Sequence, residues 1–228
     1  MTSVKTPADE AEARAVQDEL RTRVVLDESG PVAGRGLVAG VDVAYDDERD
    51  LVAAAAVVLD AGTLEVVEEA TAVGHVTFPY VPGLLAFREL PTVLAALDAL
   101  TAVPDLVVCD GYGLAHPRGF GLACHLGVVT GLPTVGVAKN PFTFTYDEPG
   151  ARRGDHASLR AADGSEVGRA LRTQDGIKPV FVSVGHRVSL DTACAHALAL
   201  SPRYRIPETT RRADSLCRRE LARVAGEG

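Results

Sequence analysis

Three apolar runs of strand length follow one another early in the chain: GLVAGVDVAYD from residue 36, LVAAAAVVLDA from residue 51 and LEVVEEATAVGHV from residue 64. Short turn signals separate them, DDERD and the Ala-Gly pair at 61–62, and links that short join antiparallel neighbours. The pattern predicts a three-stranded meander. The period then changes, with Leu90, Val93, Leu94, Leu97 and Leu100 recurring at helical spacing. A short apolar strand, DLVVCDG, a small-residue helix, GFGLACHLGVVTG, and a second apolar strand, PTVGVAKN, come next. A strand, a helix and a strand in that order pair in parallel.

Residues 7–25 read as an amphipathic helix, with Thr6 as N-cap and Pro7 at the first helical position. Towards the other end, GRALRT and KPVFVSVGHRVS are further strands, followed by helices over 190–200 and 208–225. Residues 145–166 read as a long surface excursion. The expected fold is a single α/β domain over 1–228: a ribonuclease-H-like mixed sheet, antiparallel meander first and parallel strands after, with helices on both faces.

No apolar run approaches the length of a membrane span, since the longest stops at Asp60. The first twenty residues lack the apolar core of a secretory signal. Four cysteines (Cys109, Cys124, Cys194, Cys217) at distant, irregular spacings suit reduced thiols better than zinc or disulfides. A cytoplasmic protein is expected. The net charge of −8 argues against a polyanion as partner, yet it hides an asymmetry. Residues 1–150 carry 9 basic against 22 acidic side chains, and residues 151–228 carry 14 against 9. A basic final third can face phosphates within an acidic protein.

Open α/β sheets deliver ligand-facing groups at the carboxyl ends of parallel strands. Asp110 stands there, although Asp-Gly is also an ordinary turn pair. Asp42 shifts the balance, because it lies inside an apolar strand where an unpaired carboxylate is costly. Alternation puts Gly40 and Ala44 on its face, which predicts open space for a ligand beside it. If the first meander strand adjoins the first parallel strand, the two aspartates are neighbours, and their repulsion calls for a cation. Glu89 is the third candidate: an ordinary helix glutamate, or a fixed point if Pro91 ends or kinks the helix just after it. Oxygen ligands without Cys or His suit a hard cation such as Mg²⁺ or Mn²⁺. His116, alone, reads as a loop residue. Lys139 ends a parallel strand in a chain with only three lysines and reads as a phosphate contact.

Two further features accompany these side chains. In FPYVPG, residues 78–83, Pro79 and Pro82 restrict Tyr80 from both sides, which makes either a structural corner or an aromatic group held ready. The glycines of GYG and RGFG match neither the dinucleotide fingerprint nor a P-loop, and allow backbone to approach a flat ligand.

Taken together, GVDVAY, FPYVPGLLAFRE, VCDGYGLAHPRGFGLACHLG and PTVGVAKN resemble endonuclease V, the inosine-specific repair endonucleases; HRVSLDTA and ETTRRAD look like its C-terminal motifs. The resemblance implies a Mg²⁺-dependent enzyme, with Mn²⁺ as substitute, that cuts DNA containing deoxyinosine at the second phosphodiester bond 3′ to the lesion. It implies Asp42, Glu89 and Asp110 as metal ligands, His116 and Lys139 near the scissile phosphate, and Asp214 beside the attacking water. Pro79, Tyr80, Val81 and Pro82 match the family's wedge. Gly83, Gly111, Gly113 and Gly121 would shape the pocket for the flipped base. Tyr112 departs from the His or Asn common at its position. A related nuclease acting on inosine in RNA or on other lesions, and a non-catalytic nucleic-acid-binding module, are the alternatives. A monomer is expected.

Overall fold

The structure, a computed structural model, describes residues 6–226. The single-domain reading over 1–228 therefore includes a few terminal residues outside the described ones. Among the described residues five helices and eight strands follow one another: α1 Glu10–Arg21, β1 Leu37–Asp46, β2 Leu51–Asp60, β3 Val66–His75, α2 Ala86–Asp98, β4 Leu106–Cys109 and α3 Leu122–Thr130. Then come β5 Thr134–Ala138, β6 His156–Arg160, β7 Glu166–Leu171, β8 Val180–His186, α4 Leu190–Ala199 and α5 Glu208–Gly226. The strands form one sheet in the order β3-β2-β1-β4-β5-β8-β7-β6. The expected meander is present, and β1 pairs in parallel with β4, as β4 does with β5. Beyond β5 the sheet turns antiparallel through β8, β7 and β6.

Helices cover both faces, as the α/β ribonuclease-H-like reading requires. On one, Leu90, Val93 and Leu94 of α2 and Leu126 of α3 pack with Ala39, Val41, Val107 and Cys109. On the other, α4 packs Ala193 and Ala197 against Val108, Val135 and Val182, while α5 sets Ala213 and Cys217 on Ala44, Ala55 and Val57. The all-alanine centre of β2, fully buried at Ala53–Ala56, lets helices approach closely from either side.

Four local expectations need correction. α1 begins later than residue 7: Asp9 is its cap, its side chain accepting from Glu12 N at 2.8 Å, while Glu12 reaches back to Ala8 N at 2.6 Å. That reciprocal pair satisfies two end donors, which Thr6 and Pro7 do not. The excursion over 145–166 contains β6, whose only fully buried side chain is Leu159, too little apolar pattern to register as a strand. Pro91 does not end α2, which runs from Ala86 through it. The helix starts far enough upstream that the lost N–H falls just past its first turn, and the buried face of Leu90, Val93 and Leu94 carries the helix on.

The fourth concerns the space beside Asp42. A Cβ on Gly40 would lie 2.2 Å from the backbone carbon of Thr209. The small residues of β1 are filled by α5, not left open for a ligand. Close packing there brings the side chains of α5 to the carboxyl end of β1.

Candidate functional site

Register places Val41 opposite Cys109, so Asp42 and Asp110 are the next residues in step on adjacent parallel strands. The Asp110 amide donates to the Val41 carbonyl at 3.3 Å. Lys139, one residue past β5, hydrogen-bonds Asp110 Oδ2 through its ammonium and stands 4.0 Å from Asp42 Oδ2. Asp42 Oδ1 accepts from Val43 N at 2.8 Å, whereas its Oδ2 is buried with no hydrogen-bond partner. Burial first, and the charge of Asp110 second, push the Asp42 carboxyl up to about 8, with Lys139 pulling the other way. For Lys139, burial opposes the charge, but the hydrogen bond and charge of Asp110 outweigh it and hold the ammonium above its usual range.

Glu89 lies in the first turn of α2 and is only 7% exposed, so it is no solvated helix glutamate. The Tyr45 hydroxyl donates to its Oε1 at 3.1 Å, and the Arg88 guanidinium lies 4.9 Å from the centre of the Tyr45 ring. Burial chiefly, with Asp110 adding, raises Glu89 to about 7. Asp214 comes from α5; it accepts from Arg218 Nε at 3.0 Å, and its charge raises Asp42 further. Asp42, Asp110 and Asp214 therefore act on the Lys139 ammonium, and Asp110 acts on Glu89 as well.

Beside them opens a cavity of about 200 Å³. Glu89 and Asp110 line it, together with Tyr80, Pro82 and Gly83 and with His116, Gly111, Gly121, Tyr112 and Phe142. Tyr80 is 69% exposed at its mouth. Gly111 has a φ of 148°, a region closed to side chains, and nothing lies within 4 Å of where its Cβ would be. Its backbone faces open space.

Three of the motif residues lie elsewhere. Val81 turns inward onto Ala13, Phe78, Leu84 and Phe87, and Pro79 is exposed outside the cavity. Gly113 is a packing residue: a Cβ would meet the Val184 carbonyl oxygen at 1.9 Å, and its N–H donates to Ser183 Oγ at 2.8 Å. Of the wedge motif, Tyr80 and Pro82 are the members that face the cavity.

His116 Nδ1 accepts from Arg118 N at 3.2 Å, which leaves Nε2 to carry the ring proton. Burial pushes its pKa down to about 4, against a hydrogen bond to the Gly83 backbone. It is a neutral donor at physiological pH. Tyr112 donates its hydroxyl to the Asn140 carbonyl at 2.6 Å and stacks on Phe142 at 5.4 Å. Its side chain thus props the 140–142 loop rather than projecting into solvent.

Sequence reasoning passed over Gln17, Tyr45 and Phe142. Gln17 is a polar residue on an amphipathic helix with nothing in its spacing to mark it, yet it is 1% exposed and lines the cavity. Tyr45 belongs to GVDVAY, but an aromatic at a strand end reads as core.

Among the described residues no three His, Cys, Asp or Glu side chains are gathered closely enough to enclose an ion. In kind, however, the donors fit a hard divalent cation: they are all carboxylate oxygens, and buried Asp42 Oδ2 has a lone pair with no partner.

Comparison with known proteins identifies relatives of the chain. The sequence profile of the Endonuclease V family matches residues 18–215. An Endonuclease V of Streptomyces avermitilis is 76% identical over 97% of this chain and 98% of its own length. The crystal structure of that Streptomyces avermitilis protein superposes with a TM-score of 0.95, covering 96% of each chain. Endonuclease V of Ciona intestinalis, solved in complex with a 24mer DNA containing an inosine followed by a ribo-adenosine, is 29% identical with a TM-score of 0.83, covering 94% of this chain and 98% of that one.

Proposed function

The chain belongs to the endonuclease V family, and from that premise we propose that it is a Mg²⁺-dependent repair endonuclease for deoxyinosine in DNA, acting as a monomer in the cytoplasm. It hydrolyses the second phosphodiester bond 3′ to the lesion and leaves a 3′-hydroxyl and a 5′-phosphate. One observation carries the reading: Asp110, bridged through Lys139 to Asp42, lines with Glu89 a base-sized cavity that has an exposed tyrosine at its mouth.

A base inside a duplex hides its edges, so a hypoxanthine must leave the stack to be inspected. The cavity offers it backbone at Gly83, Gly111 and Gly121 and aromatic surface at Tyr112 and Phe142. Tyr80, stiffened by its two prolines, takes the place of the extruded base with little further loss of freedom. The neutral His116 donates through Nε2 near the Gly83 turn. Asp42, Glu89 and Asp110 would hold Mg²⁺, with Mn²⁺ able to replace it. When bound, the ion supplies polarisation of the phosphoryl group and a more acidic water. Lys139 brings a fixed positive charge to the phosphate, Tyr45 holds one Glu89 oxygen in place, and Asp214 lies beside Asp42 to orient the attacking water.

The test is cleavage of labelled oligonucleotides holding one inosine, with adenosine controls, as matched DNA and RNA and with Mg²⁺ or Mn²⁺. Cutting at the second bond 3′ to inosine in DNA is expected. Equal cutting of both bases, or of neither, overturns the proposal. The RNA arm is included because the Ciona relative was crystallised on a strand with a ribonucleotide directly after inosine.

A further inference from the structure

The loop over 201–207 joins α4 to α5 and lies next to Lys139. Side-chain donors from the 153 and 173–174 segments fasten its backbone, of which Thr173 is buried, Gln174 half-buried and Arg153 exposed. Arg153 donates to the carbonyls of Leu198 at 2.7 Å and Ser201 at 2.6 Å, and Gln174 to those of Ser201 at 2.8 Å and Tyr204 at 3.1 Å. Thr173 Oγ1 donates to the Arg205 carbonyl at 2.7 Å. Arg205 itself turns inward, donating to the carbonyls of Lys178 at 3.0 Å, Pro179 at 2.8 Å and Lys139. The loop is thereby tied to the residue whose ammonium bridges the two aspartates.

So many side-chain donors on one short loop fix it firmly, while two of its exposed polar side chains make no side-chain hydrogen bond among the described residues. Those are Arg203 and Tyr204, the latter 45% exposed. The Arg203 guanidinium lies 5.9 Å from the Tyr204 ring centre and that of Arg211, from α5, lies 4.8 Å away. Arg211 is paired with Glu208 at 2.6 Å. Among the described residues Arg203 and the exposed Lys178 have no carboxylate at ion-pairing distance, in a chain whose net charge is −8. A guanidinium resting on an aromatic ring is oriented in advance, with its N–H edge free for an anion.

We propose that Lys178, Arg203 and Tyr204 form a rim that binds the phosphodiester backbone of the strand flanking the cleavage site, without reading its sequence. The inference rests on the endonuclease reading only for its substrate. Backbone contacts release counterions, so each one lost lowers the salt dependence of binding by a fixed step.

The experiment measures binding of the full chain to inosine- and adenosine-containing duplexes, in magnesium-free buffer, across a series of salt concentrations. Arg203→Ala is expected to weaken both duplexes alike, by roughly 3–10-fold at moderate salt, and to lower the log–log salt slope by about 0.9. Arg203→Lys should keep the slope, and Tyr204→Ala should weaken both duplexes by a smaller factor. Arg35→Ala, the same charge loss near the opposite end of β1, should change nothing. An unaltered slope in Arg203→Ala, a loss confined to the inosine duplex, or an equal effect from Arg35→Ala each overturns the rim. A wild-type chain that cuts inosine and adenosine strands alike would sink the inosine-specific reading instead, and the slope comparison would still decide the rim.

Discussion

The Gln17 amide donates through Nε2 to the Gly83 carbonyl at 2.9 Å and, more weakly, to the Phe120 carbonyl at 3.4 Å. One side chain of α1 thus ties together two segments that line the cavity. Its own Oε1 is buried without a partner, a cost the two donated bonds must exceed. Gln17→Leu should lower stability by about 1–2 kcal/mol, seen as a lower urea midpoint, and loosen inosine binding. Gln17→Glu should cost more, because a buried carboxylate would face two carbonyl oxygens. A wild-type midpoint in the glutamate variant would rule out the clasp.

Gly40 and Thr209 offer a second test. With a Cβ 2.2 Å from backbone that cannot swing aside, Gly40→Ala must push α5 off β1. The expected loss is about 2–3 kcal/mol by chemical denaturation. Cleavage should fall with it, since the same helix carries Asp214.

His125 gives the fold a pH dependence. It is fully buried between Phe87, edge-on at 5.1 Å, and Phe120 at 5.3 Å, and neither ring nitrogen has a hydrogen-bond partner. Burial pushes its pKa down from 6.5 to about 4. The unfolded chain takes up a proton below about pH 6.5 that the folded chain refuses until about 4. Stability is therefore whole above 6.5 and declines as pH falls towards 4, by up to about 3 kcal/mol from this group. His116 acts in the same direction. His125→Phe should flatten part of that decline, and equal slopes between pH 7.5 and 4.5 in variant and wild type would refute it.

Asp42 should trade stability for chemistry. Its buried, unpartnered oxygen and its neighbour Asp110 make the charged form unfavourable in the metal-free fold. Asp42→Asn is expected to raise the thermal midpoint in metal-free buffer by a few degrees while abolishing cleavage. A lower midpoint would mean that Lys139 compensates the charge more fully than the geometry indicates.

Much of this was legible in the residues. Valine-rich runs with short turns carry the meander, and the strand–helix–strand around GYG places Asp110 beside Asp42. Patterns of one strand, however, do not say what covers its face. The small residues around Asp42 are the same whether a ligand or a helix fills the groove, and only the packing of Thr209 on Gly40 decides it. β6 was hidden because one buried leucine makes no alternation. Gln17 was hidden because its partners are backbone carbonyls contributed by two distant loops, to which side-chain spacing is blind.

The contact of Gly40 with Thr209 also orders events in time. It joins β1 to α5, so most of the described residues lie between the two partners and must be present before it can form, and closing so long a loop is slow relative to local turns. During synthesis β1 emerges with an unshielded groove well before α5 arrives to cover it. A nascent or C-terminally shortened chain can hold Asp42, Glu89 and Asp110 and still lack Asp214 and the platform beside Lys139. On the proposed reading, such a chain has the residues for the metal but not the one assigned to the attacking water.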